Sequence, residues 1–303
     1  MPLPQSNARR IPVAMTHVLT LVAHREAVSL TPAIINRVRN AVHGGTPTIL
    51  SPGEAADIPC GHPPDMAVAL EAIGTDPIDA IPTKARGRRK ALLIADMDST
   101  IVTSETLDEI AAYAGLKEKI AAITMRSMNG EIDFSQALRE RVAMLKGLAL
   151  DALEKTWAKT ALTPGARELV ATMKAHNATT ALVSGGFTFF TGRVAELVGF
   201  HTHRANILEH DGETLAGTVA EPVLDANAKL TALHELTAAR GVKLSATLTV
   251  GDGANDLPML LAAGLGIAFH AKPIVAAQAK AQIRHGGLRA ALFAQGYRLE
   301  DFR

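Results

Sequence analysis

The sequence predicts an α/β protein: a parallel sheet with helices on both faces, preceded by a small α+β unit. Two observations carry the prediction. From residue 91 onward, short apolar runs alternate with helical stretches, the pattern of strand–helix–strand units that build a parallel sheet. Residues 1–85 lack that alternation, and Pro- and Gly-rich turns such as CGHPPD set them apart. A chain of 303 residues suits two such units, since one domain takes roughly 100–200. Hydrophobic residues make up 48% and charged residues 20%, a balance that builds a core and excludes wholesale disorder.

In the first unit, HVLTLVA at 17–23 reads as a strand. LTPAIINRVRNAVHG at 30–44 has helical periodicity between a Thr-Pro start and a Gly stop. TPTILSP is a candidate second strand, DMAVALEAIG at 65–74 a short helix, and DPIDAIPTK is ambiguous. The basic tract KARGRRK at 84–90 precedes the next strand and reads as a solvated linker.

The second unit opens with ALLIA at 91–95, a buried strand. Residues 103–160 are almost all helical, in four pieces beginning SETLDE, KEKIAA, DFSQAL and LDALEK. The helix GARELVATMKAHN and the strand TTALVSGG (179–186) follow, then the helix FTGRVAELVG. Two short runs in 206–219 flank Asp211-Gly212, a hairpin signal. A helix at 226–240, a strand at 246–253, a helix at 255–263 and a strand at 265–269 complete the alternation.

Charge and cysteine content narrow the function classes. With 31 basic and 30 acidic residues the formal charge is +1, which does not point to nucleic acid or to an anionic membrane. Cys60 stands alone, so an intrachain disulfide framework is excluded and a reducing compartment fits. Arg9 and Arg10 ahead of IPVAMTHVLTLVA resemble a signal start, but Thr16 and His17 interrupt the run. No small-residue cleavage site stands out, and no apolar run reaches the ~18 residues a membrane span needs. The expectation is a soluble cytoplasmic protein.

Sites in parallel sheets lie at the C-terminal ends of strands. Three strands here end in polar turns, Asp96–Thr100, Ser184–Gly186 and Gly251–Asp256, which should meet at one edge. They bring Asp96, Asp98, Asp252 and Asp256 together. A single acid after a strand is ordinarily a turn or helix cap. Four acids repel strongly without a cation, and an all-oxygen set suits Mg²⁺. Ser184 with the backbone of Gly185 and Gly186 can donate to phosphoryl oxygens, and Lys229 can supply a point charge. There is no nucleotide P-loop, and GDGAND lacks the rest of a dinucleotide fingerprint. His201 and His203 form an H-x-H better read as an exposed loop than as a metal site.

DMDST at 96–100, SGG at 184–186, Lys229 in NAK and GDGAND at 251–256 resemble the four motifs of the haloacid dehalogenase superfamily. DMDSTIVTSE with LRERV resembles its phosphoserine phosphatase family in particular, over about residues 90–290. The likeness implies a catalytic domain at 86–303 and a helical cap at about 103–160. It leaves 1–85 with a weak likeness to ACT-type regulatory domains. It further implies hydrolysis of O-phospho-L-serine, the last step of serine synthesis, with Mg²⁺ as cofactor. Asp96 would be the nucleophile and Asp98 the general acid and base, with Met97 between them pointing away along an extended segment. Asp96, Asp252 and the Asp98 carbonyl would hold the metal, oriented by Asp256 and Asn255, while Ser184, Gly185 and Lys229 contact the phosphoryl group. Glu105 would bind the substrate ammonium and Arg141 its carboxylate, with Met128 and Phe134 as pocket wall. Each of these four also has an ordinary reading as helix charge or cap core. A phosphotransferase, a phosphatase of another small ester and an amino-acid sensor with a vestigial catalytic unit remain alternatives. Small N-terminal α+β units often mediate dimers, so a homodimer is possible.

Overall fold

The computed structural model describes residues 15–303; Arg9, Arg10 and the start of the apolar run after them lie outside that range. The first unit runs β1 (His17–Ala23), α1 (Pro32–Ala41), β2 (Thr48–Ser51), β3 (Ala55–Cys60), α2 (Met66–Ile73) and β4 (Ile78–Lys84). Its strands form an antiparallel sheet in the order β2-β3-β1-β4, the split βαβ arrangement. Thr31 caps α1 ahead of Pro32, and Asp65 caps α2 through the N–H groups of Ala67 and Val68.

Both faces of this sheet are covered. Leu19, Leu21 and Ala23 pack with Ile35 and Val38 of α1 and Ile73 of α2. Val22, Ala55 and Ile81 join the core of the second unit instead. That explains why HVLTLVA is buried at nearly every position.

The strands β3 and β4 carry Pro59, Pro82, Asp57 and Asp79, residues that weaken a strand signal. The aspartates bind the second unit. Asp79 accepts the backbone N–H groups of Arg284 (2.6 Å), His285 (3.2 Å) and Gly286 (2.8 Å). Asp57 pairs with Arg88, which also donates to Thr20 Oγ1 and to the carbonyls of Phe293 and Ala294. The tract 84–90 is therefore not simply a solvated linker: its Arg88 side chain is 11% exposed and ties the two units together.

The second unit runs β5 (Leu92–Ala95), α3 (Thr106–Ala112), α4 (Lys117–Met128), α5 (Phe134–Ala143), α6 (Asp151–Trp157), α7 (Ala166–Ala175), β6 (Thr179–Phe187) and α8 (Thr188–Val198). It continues through β7 (Thr202–Asn206), β8 (Leu208–His210), β9 (Leu215–Val219), α9 (Ala226–Arg240), β10 (Thr247–Gly251), α10 (Leu257–Ala262), β11 (Leu265–Phe269), α11 (Pro273–Ala276), β12 (Ala281–Ile283) and α12 (Arg289–Ala294). Six strands form a parallel sheet in the order β12-β11-β10-β5-β6-β7. Leu92 and Ile94 of β5 pack with Leu233 of α9 and Met259 of α10. Leu93 and Ala95 join Leu169 and Met173 of α7 and Phe293 of α12. Helices thus lie on both faces, as expected.

Two strands of this unit escape the sequence reading. β12 has three residues, too few for a period. β7 is THRAN, a polar edge strand containing His203, so the H-x-H segment is not a loop. The ring of His201 contacts Thr180 and that of His203 contacts Thr191, and neither residue joins an acidic cluster.

α3 to α6 form a helical layer joined to the sheet by two adjacent connectors. Thr103 N–H donates to Ala161 O and Thr163 N–H to Ile101 O, so the connectors run side by side. The hairpin β8–β9 turns at Asp211-Gly212 and docks on this layer: Gly147 N–H donates to Leu215 O, and Leu215 N–H to Leu148 O. Among the described residues, no helix is long and apolar enough to cross a membrane.

Candidate active site

β5 delivers the buried Asp96 at its C-terminal end. The next residues do not continue the strand: Asp98 is extended (φ −64°, ψ 138°), but the chain turns at Ser99 (φ 52°), and Val102 N–H closes on Met97 O. Met97 enters the core while Asp96 and Asp98 face one cavity, so the expected separation holds by a turn rather than by strand alternation. Asp96 accepts Met97 N–H (2.8 Å) and Lys229 Nζ (2.9 Å). Asp98 accepts Thr106 N–H (3.0 Å), which ties it to the start of α3.

The end of β6 contributes Ser184, whose Oγ accepts Gly186 N–H at 2.9 Å, leaving its own proton to donate. A side chain beside it would have to displace its neighbours. A Cβ on Gly186 would lie 2.7 Å from Asp98 Oδ2, and one on Gly185 would enter the Phe134 ring. The loop after β10 contributes Asp252, Asn255 and Asp256. Asp256 is fully buried; one oxygen takes Lys229 Nζ (2.7 Å) and the other takes the N–H groups of Asp252 and Gly253. Asp252 takes the Thr100 hydroxyl on one oxygen, and its Oδ2 is buried without a hydrogen-bond partner. Asn255 Oδ1 is likewise unpartnered.

Oxygen atoms of Asp96, Asp252 and Asp256 lie within 4.8 Å of one another. Burial first, and then the neighbouring negative charges of Glu105, Asp256 and Asp96, raise Asp252 well above the ordinary carboxylate range. An orphaned buried oxygen in such a cluster fits a hard divalent cation. Lys229 offsets part of the charge. Burial alone would lower its pKa, but Asp256 and Asp96 overcome this and hold it above its usual value. Lys229 is 0% exposed and lies beneath Asp96, outside the cavity lining.

The helical layer α3–α6 lies over the site. The cavity is lined by Asp96, Asp98, Ser184 and Asp252 from the sheet and by Glu105, Phe134 and Arg141 from the helical layer. Met128, Gly185 and Asn255 also border it. Its free space is about 20 Å³, room for roughly one water. Phe134 meets Gly185 and Met128 meets Gly253 across the seam. Arg141 is 3% exposed; Nε donates to Ala137 O (3.1 Å) and Nη1 to Thr124 Oγ1 (2.8 Å). Nη2 has no partner among the described residues. Glu105 is half-buried and accepts the Ser99 hydroxyl at 2.6 Å. Burial raises Glu105 against that hydrogen bond, and burial with the charge of Glu105 raises Asp98 well above its ordinary value.

Several supporting residues were not anticipated. Thr100 holds Asp252, Ser99 holds Glu105, and Asp108 orients Arg141 through Thr124 (2.7 Å). The charge of Lys272 opposes the rise at Glu105 and Asp252. Ser99 and Thr100 lie inside DMDST; Asp108 and Thr124 become visible only when α3, α4 and α5 pack together, and Lys272 comes from the segment just before α11.

Comparison with known proteins agrees with this geometry. The family model of haloacid dehalogenase-like hydrolases matches residues 90–264. A phosphoserine phosphatase of Streptomyces coelicolor is 39% identical over 236 residues, 78% of this chain and 57% of that protein. This chain therefore spans less than two thirds of that relative's length. A solved phosphoserine phosphatase carrying a phospho-aspartyl intermediate analogue is 40% identical, with a TM-score of 0.65, over 68% of this chain and 98% of its own. An unliganded probable phosphoserine phosphatase from Vibrio cholerae is 31% identical with a TM-score of 0.75, over 95% of this chain and 88% of its own.

Proposed function

Because the chain belongs to the haloacid dehalogenase-like hydrolases, we propose that it hydrolyses O-phospho-L-serine to L-serine and phosphate through an aspartyl-phosphate. The observation that carries the proposal is the shared cavity: the acids Asp96 and Asp98 line the same space as Glu105 and Arg141. One pair supplies phosphoryl chemistry; the other reads an amino-acid zwitterion.

An Asp96 carboxylate oxygen attacks phosphorus, and the bond from phosphorus to the seryl oxygen breaks. Asp98, whose pKa burial and the charge of Glu105 raise, gives a proton to the leaving oxygen. The resulting Asp98 carboxylate takes a proton from water as that water attacks phosphorus, which releases phosphate and frees Asp96. Ser184 and the N–H of Gly185 hold the phosphoryl oxygens. Lys229 acts from beneath by fixing Asp96 and Asp256. Asp96, Asp252 and the backbone carbonyl of Asp98 would hold Mg²⁺, with Asp256 and Asn255 setting the loop. That ion supplies positive charge against the phosphoryl oxygens. Glu105 receives the substrate ammonium and Arg141 Nη2 its carboxylate, between Met128 and Phe134. The cavity is too small for phosphoserine, so the cap opens at the paired connectors to admit it.

The test is phosphate release from O-phospho-L-serine and from p-nitrophenyl phosphate, with Mg²⁺ and with EDTA. Metal-dependent release that strongly favours phosphoserine is expected. Release from the aryl ester alone would refute the Glu105–Arg141 reading. Phosphohomoserine formed on adding homoserine would make the protein a phosphotransferase.

A further inference from the structure

We propose that the cleft between the N-terminal sheet and the lower edge of the catalytic sheet binds a small organic phosphate with an apolar body, of the nucleoside monophosphate type. The proposal does not rest on the catalytic reading. The cleft has a volume of about 730 Å³, within the range of ligand pockets. Lys84, Arg86, Lys90 and Lys280 line it, and its lining contains no acid. Among the described residues, Lys84, Arg86 and Lys280 have no ion-pair partner. Arg88 and Arg89 also border the cleft but are engaged by Asp57 and Asp301.

Lys90 is held in place by the carbonyls of Gly87 (2.9 Å) and Ser245 (2.8 Å). Burial, with repulsion from Lys84, pushes its pKa down, a cost that an anion between them would remove. The walls are apolar, with Met66 and Pro64 on one side and Leu261 and Leu265 on the other. Cations beside apolar walls favour a phosphate or carboxylate attached to an apolar body over a bare ion. Residues 1–14 carry Arg9 and Arg10 and no acid, so they offer no countercharge. The cleft touches Ser245 and Ala246, at the opposite end of β10 from Asp252. Five residues of β10, about 17 Å of strand, separate it from the catalytic edge.

The experiment is calorimetric titration of the full chain with AMP, and with adenosine and inorganic phosphate as half-probes. AMP is expected to saturate below about 1 mM and to bind at least about tenfold tighter than either half. In the double variant Lys84→Ala/Lys280→Ala, AMP binding should weaken about tenfold or more, while hydrolysis of p-nitrophenyl phosphate stays unchanged. Either of two results overturns the proposal: no saturable AMP heat, or equal binding by the double variant, which would move AMP elsewhere. Inorganic phosphate binding as tightly as AMP would refute the apolar half of the recognition.

Discussion

Asp252 Oδ2 and Asn255 Oδ1 are the two side-chain atoms that define this site most sharply, because each is buried and each lacks a partner. An unpaired buried group of this kind is costly unless a ligand completes it. Replacing Asp96 by Asn removes the attacking charge and keeps the shape. We expect turnover to fall by on the order of 10³-fold or more with an unchanged circular dichroism spectrum; substantial residual phosphate release would reject Asp96 as nucleophile. Arg141→Ala should lower kcat/KM for phosphoserine by about 100-fold, roughly 2.7 kcal/mol, and leave p-nitrophenyl phosphate hydrolysis nearly intact. Equal losses on both substrates would mean that Arg141 supports the cap and not the carboxylate.

The elements explain why these atoms stay in place. On α5 the inward face is Ala137, Leu138, Arg141 and Val142, while Arg139 turns outward to pair with the exposed Glu221. One helical stripe thus separates a buried arginine from a surface arginine two positions away. The ring of Phe134 in the helical layer rests on Gly185. A methyl group at that glycine meets the ring, so Gly185→Ala should hold the cap ajar. We expect kcat/KM to drop about tenfold or more with little change in Tm. Rescue by combining it with Phe134→Leu would show that the clash, and not a backbone change, is responsible.

For the whole molecule, the buried acids and the docking of the two units set stability. Asp98 and Asp252 have raised pKa values in the fold, so the folded state binds more protons than the unfolded one. Without metal, stability therefore falls as pH rises above the ordinary carboxylate value of about 4. A cation held by ionised acids reverses this. Mg²⁺ at about 100 times its Kd should add about 2.7 kcal/mol, with a Tm gap over EDTA that is wider at pH 8 than at pH 5. Identical melting curves in Mg²⁺ and EDTA would contradict a cation in the cluster. Asp79 is 2% exposed and satisfies three N–H groups of the catalytic unit. Asp79→Ala should cost about 2–3 kcal/mol in urea denaturation while the active-site distances, and hence kcat, persist.

What the sequence by itself determined is local chemistry: strands that end in acids, a Ser-Gly-Gly turn, four cap helices and a hairpin at Asp211-Gly212 are readable because period, turn chemistry and motif spacing are short-range. Tertiary structure alone decided the rest. β3 and β4 hide because Asp57 and Asp79 are placed for Arg88 and for the second unit's backbone, partners far away in the chain. The polar β7 is legible only as an edge of a sheet already built. The Asp108–Thr124–Arg141 chain joins three helices, and Arg88 is a surface charge until Asp57 meets it. The physical reason is common to all: burial and pairing belong to contacts between distant segments, and a one-dimensional pattern carries no record of which segments will touch.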